Sequence, residues 1–116
     1  MKNTVVNSII FHTQNVKLNK DFYQKLFGFK VGTYEKDGNT LPDESEKYVN
    51  FHTDGLLLCF EEGTSPDRGT LVLHVANLQQ FKLTLAQNNV EILKQSDTWL
   101  KIKDPEARTL IVEQHP

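Results

Sequence analysis

A chain of 116 residues, 38% hydrophobic and 24% charged, has the composition of one ordinary globular domain and is long enough to bury a core without staples. A formal charge of −2 with no stripe of lysine and arginine speaks against a nucleic-acid partner. Cys59 is the only cysteine, which fits a reducing, cytoplasmic setting, and an N-terminal stretch broken by Asn3, Thr4, Asn7 and Ser8 is too short and polar for a signal peptide or membrane span.

The first strand is expected over residues 5–12. Asn15 then stands where a helix N-cap belongs. Leu18, Phe22 and Leu26 follow at four-residue spacing, with Tyr23 and Phe27 widening the stripe, and Gly28 closes the helix. Residues 29–34 read as the second strand and residues 35–46, polar and containing Gly38 and Pro42, as a loop. Residues 48–52 and 56–62 form two strands joined by a turn at Asp54-Gly55. Residues 63–69, with Pro66 inside, are a linker. Beyond it the order repeats: a strand at 70–75, a cap at Asn77, a helix at 78–87 ended by Asn88-Asn89, and strands at 90–94, 99–103 and 108–114. The turn before the last strand is Asp104-Pro105-Glu106-Ala107.

The repeat extends to particular residues. His12 precedes Asn15 by three positions and His74 precedes Asn77 by three, while the fourth strand of each half ends in an acid, Glu61 or Glu113. The chain is thus expected to be an α+β domain of two tandem βαβββ units, about 1–62 and 70–116. They would form a cupped mixed sheet with one helix on the outer side of each unit.

Alternation along the strands sorts the side chains into two faces. Ile9, Phe11, Val49, Phe51, Leu58, Phe60, Leu71, Leu73, Val75, Leu100, Ile102, Leu110 and Val112 fall on one, apolar enough to pack beneath the helices. The other collects Ser8, Ile10, His12, Tyr48, Asn50, His52, Leu57, Cys59, Glu61, Thr70, Val72, His74, Trp99, Lys101, Thr109, Ile111 and Glu113. That mixture suits either a small-molecule cleft or the wet side of an antiparallel sheet.

The run Asp21-Phe22-Tyr23-Gln24-Lys25-Leu26-Phe27-Gly28-Phe29 after Asn15-Val16, and the stretch Asp104-Pro105-Glu106-Ala107-Arg108 before the last strand, resemble the vicinal oxygen chelate superfamily, the glyoxalase, bleomycin-resistance and extradiol-dioxygenase group. The resemblance spans the whole chain and implies a homodimer whose cleft forms within one chain or across two. Metal-dependent members carry four ligands on the cavity face. Carried over by spacing, those places fall on Ser8, on Cys59 (or Leu58 with a one-residue slip), on Thr70 and on Ile111. Neither an imidazole nor a carboxylate is among them, so no metal cofactor is expected there. A relocated set of His12, Glu61, His74 and Glu113 is the alternative. The histidines lie four residues beyond the usual positions and the acids two, a stagger of roughly 7 Å at ~3.3 Å per residue.

The reading is therefore a small-molecule-binding protein that sequesters a ligand without metal, using His12, Tyr48, Glu61, His74, Trp99 and Glu113. An aromatic compound with a cationic or hydrogen-bonding group would suit those side chains. The alternative is a glyoxalase-like lyase or isomerase, or a dioxygenase-like enzyme, with His12 or His74 moving a proton. Cys59, between Leu58 and Phe60, lacks a charged neighbour to activate it.

Overall fold

Helix α1, Val16–Phe27, begins where Asn15 in extended conformation accepts the Leu18 N–H at 2.9 Å, and it ends on Gly28 with φ of 67°. Helix α2, Leu78–Gln87, repeats the device: the Asn77 side chain accepts from the Gln80 N–H, again at 2.9 Å, and Asn89 takes a φ of 57° just past the helix end. This computed structural model describes residues 6–116. The expected start of the first strand at residue 5 lies outside them.

Each helix follows the first strand of a four-stranded sheet. In unit one the strands are β1 (Ser8–Thr13), β2 (Lys30–Val31), β5 (Tyr48–Thr53) and β6 (Leu56–Glu62), in the order β1-β6-β5-β2. In unit two they are β7 (Thr70–Val75), β8 (Lys94–Gln95), β9 (Trp99–Lys103) and β10 (Thr109–Gln114), in the order β7-β10-β9-β8. First and last strands pair parallel in both units and the other pairs are antiparallel. Two βαβββ units with mixed sheets are therefore present, as the repeat implied.

Three local expectations are corrected. The second strand does not run unbroken over residues 29–34: Gly32 divides β2 from β3, Thr33–Lys36. The expected loop at 35–46 is largely a hairpin, in which β3 pairs with β4, Asn39–Pro42. Asp37 and Gly38 both take positive φ, 52° and 77°, as a two-residue turn matched to the strand twist requires. The strand expected at 90–94 shrinks to β8, and residues 90–93 run as irregular chain.

The apolar face forms the core as sorted. Val49, Phe51, Phe60, Leu100, Ile102, Leu110 and Val112 are wholly buried, with Ile9, Phe11, Leu71, Leu73 and Val75 packed against them. The stripe on α1 is rotated from the expected one. Val16, Asn19, Tyr23 and Leu26 are buried, whereas Leu18 is 49% exposed and Phe22 only half-buried. The rotation comes from Asn19, a polar residue that the core accepts because its amide is satisfied there. It donates to Thr13 Oγ1 at 2.8 Å, to the Asn15 carbonyl at 2.9 Å and to Glu106 Oε1 at 2.6 Å.

The units meet where α1 lies against α2, with Phe27 stacked on Phe81 at 5.2 Å, and at a buried polar strut. Arg108, 1% exposed, reaches across from the turn before the last strand of unit two and lies against the rings of Phe11 and Phe60. It donates to Asp104 Oδ2 (2.8 Å), Asn19 Oδ1 (3.2 Å) and the carbonyls of Asp67 (2.8 Å) and His12 (2.6 Å). The hydroxyl of Tyr23 donates to the same Asp104 oxygen at 2.8 Å. Burial, reinforced by Asp104, pushes the phenol far above its ordinary pKa, so it remains a donor. The radius of gyration is 15.3 Å, where a compact chain of this length is expected near ~13 Å. The β3–β4 hairpin stands exposed, and the face away from the helices is open, with Ile10 51% and Val72 59% exposed.

Candidate functional site

On that open face the sheet register brings the expected side chains into two matching rows. His12 lies opposite Glu61 across the parallel pair, and Glu61 lies opposite Tyr48 across the antiparallel pair. In unit two His74 lies opposite Glu113, and Glu113 opposite Trp99. The duplication thus builds the row histidine, glutamate, aromatic twice. One step inward, the rows are Ile10, Cys59, Asn50 and Val72, Ile111, Lys101. Ile10 is 51% exposed and Val72 59% exposed, so each unit sets an unfilled apolar step beside its polar row.

The two histidines are held differently. His12 Nδ1 lies 2.8 Å from Asp67 Oδ2, an oxygen that also accepts the His12 backbone N–H at 3.0 Å. A carboxylate only accepts, so the proton sits on Nδ1 and Nε2 faces Glu61 Oε2 at 3.7 Å. Gly63 packs flat against the imidazole, where a Cβ would come within 3.0 Å of His12 Cβ. These contacts hold the carboxyl of Asp67 below its ordinary pKa, first through the backbone N–H of His12 and then through its ring. His74 uses the other nitrogen: Nε2 donates to Glu113 Oε1 at 3.0 Å, and the ring meets His115 edge-on at 5.8 Å.

Beside the row of unit one, Asp43 accepts from the Tyr48 hydroxyl at 3.0 Å and from the Asn50 amide at 2.8 Å. The hydrogen bond to Asp43, with a smaller contribution from burial, raises the Tyr48 phenol pKa. Asp43, Asp67, Asn19 and Arg108 escaped the sequence reading: the first three fall outside the strands whose alternation assigns faces, and a buried polar residue such as Arg108 carries no periodic signal. The available hint was the aspartate of the Asp104-Pro105 turn, whose Oδ1 accepts from the N–H groups of Glu106 and Arg108, both at 2.9 Å.

The register also tests the metal positions. Leu58 belongs to the helix-side core cluster and Cys59 does not, so Cys59 is the one of the two that stands on the open face. Ser8 and Thr70 are exposed hydroxyls, Ile111 has no donor, and burial followed by the Glu61 charge pushes the Cys59 thiol up. This set does not fit a divalent metal. The relocated set needs one correction. No stagger separates the histidines from the acids, because the carried-over positions are themselves two residues out of register: Ser8 lies opposite Leu57, and Thr70 opposite Thr109. His12 is instead committed to Asp67 of the linker, and His74 to Glu113. Among the described residues no three His, Cys, Asp or Glu side chains converge to hold a metal ion. No helix among them is long and apolar enough to cross a membrane.

No family model and no curated protein sequence matches the chain. Solved structures do. A glyoxalase/dioxygenase from Nostoc punctiforme is similar at 18% identity and a TM-score of 0.73, over 100% of this chain and 99% of that one. A lactoylglutathione lyase from Agrobacterium tumefaciens is similar at 12% and 0.69, over 97% and 95%. TioX from Micromonospora sp. ML1 is similar at 10% and 0.72, over 97% and 100%. At such identities the likeness is one of fold, shared over nearly the whole chain with these three proteins.

Proposed function

We propose that the protein binds a small molecule on the open face and holds it without a metal ion. The observation that carries this reading is the pair of matching rows, His12–Glu61–Tyr48 and His74–Glu113–Trp99, each beside an exposed apolar step at Ile10 or Val72. A carboxylate flanked by an aromatic ring receives an ammonium, guanidinium or N–H group, and the apolar step receives a ring or alkyl body. The ligand that fits is an aromatic compound with a basic or hydrogen-bond-donating group. A homodimer would cover the open face and its exposed Ile10 and Val72. A cytoplasmic location belongs to the same reading, on the strength of the lone, buried thiol.

A second reading, proton transfer by a glyoxalase-like lyase or isomerase, rests on the Asp67–His12 contact. That contact leaves Nε2 of His12 as the basic nitrogen. Elemental analysis of untagged protein, with melting curves before and after EDTA and an assay for hemithioacetal turnover, separates the two. The binding reading predicts no stoichiometric metal, an unmoved melting temperature and no turnover. Chelator-sensitive turnover would put the enzyme first.

A further inference from the structure

The two ends of the seam between the units are not alike. By register, the pair His52–Leu57 in unit one corresponds to Lys103–Thr109 in unit two. The turn Thr53–Leu56 therefore answers to the longer turn Asp104–Arg108, and Leu56 stands where unit two has Arg108. Arg108 crosses the seam and fills the space beside Phe11 and His12. Leu56 is too short to do the same beside the counterparts Leu73 and His74. What remains there is a groove of about 600 Å³, lined by Ile9, Phe29, Leu56, Leu58, Leu71 and Leu73. Its volume is that of a small-molecule site, and the rows of the open face contribute Val72 and His74 to its walls.

We infer that this groove is a second binding site, for a small apolar molecule carrying a carboxylate. Its walls are aliphatic and aromatic, which sets the body of the ligand. Lys30 and the imidazoles of His52 and His74 stand among its lining, against one acid, Asp54. The His52 ring lies over Gly32, whose missing side chain makes room for it: a Cβ there would come within 3.2 Å of the ring. His74 is already engaged by Glu113, so Lys30 and His52 are the groups that receive the carboxylate.

The test is titration of the full chain with naphthalene-2-acetate, its methyl ester and 2-(naphthalen-2-yl)ethylamine, followed by amide NMR. The carboxylate should bind with a Kd of about 1 mM or tighter. Its shifts should gather at Phe29, Leu56 and Leu73 and spare Cys59 and Ile111. Lys30→Met should weaken the carboxylate about tenfold and leave the ester unchanged. Leu56→Trp, or Leu73→Trp should the first fail to fold, should fill the groove and weaken binding by more than about tenfold. Absence of saturation, shifts confined to the open face, an amine or ester that binds as well as the acid, or a filled groove that binds unchanged would each overturn the inference. The metal-free reading of the open face stands on its own test, elemental analysis with melting curves before and after EDTA, which none of these titrations replaces.

Discussion

Removing Arg108 should cost more stability than removing any residue of the open face. Its guanidinium is buried against the rings of Phe11 and Phe60, with two carbonyls, the Asn19 amide oxygen and the Asp104 carboxylate as acceptors. Arg108→Ala leaves Asp104 as a buried charge without its cation, a loss of about 3–5 kcal/mol. The figure should fall at the lower end. Asp104 keeps the Tyr23 hydroxyl and the N–H groups of Glu106 and Arg108 as donors. Against a total stability of roughly 6–17 kcal/mol for a chain of this length, that is a large fraction. With urea m-values of ~1–3 kcal/mol/M, the midpoint should drop by at least ~1 M. Arg108→Met keeps the stem but not the charge, and combining it with Asp104→Asn should recover about 1–3 kcal/mol of the summed single losses. A loss below ~1 kcal/mol for Arg108→Ala, or strict additivity in the cycle, would refute the strut.

Ala107 holds a φ of 65° in the turn that delivers Arg108. Ala107→Gly should stabilise by about 0.5–1 kcal/mol by calorimetry, the left-handed penalty less the entropy glycine adds to the unfolded chain. Leu18→Ala should cost well under ~1 kcal/mol and Leu85→Ala about 2–5 kcal/mol in urea melts, because the first is half exposed and the second buried. Equal costs would return the helix stripe to its sequence-based position. Asp67 is depressed in the folded protein, so its contribution is full above the usual value near 3.8 and is gone once pH has fallen through the lowered value. The stability gap between the wild type and Asp67→Asn should therefore close in acid. A gap unchanged down to pH 2 would show that His12 does not act on it.

Strand alternation and the paired caps made the units, the core face and the six residues of the two rows readable, because each depends on short-range periodicity. The Asp37-Gly38 hairpin was readable too, from the same dipeptide that marks Asp54-Gly55, but Pro42 and the polar composition around it masked the alternation. Register across strands was not readable. The correspondence of His12 with Glu61 and of His74 with Glu113 depends on where parallel strands align, and no local pattern records that. The Arg108 strut was hidden for a related reason. Its partners come from α1, β1, the linker and the last turn, and each looks solvated when read alone. The groove at the other end of the seam follows from a difference of turn length, which acquires meaning only once the two units are superposed.

Native mass spectrometry of the protein purified from its own host, sprayed first intact and then after EDTA, addresses metal-free ligand binding directly. The account predicts chains that carry an organic molecule of a few hundred daltons, no metal mass, and the same complex after chelation. One nickel, zinc, iron or manganese per chain, lost to EDTA together with any bound organic molecule, would contradict it.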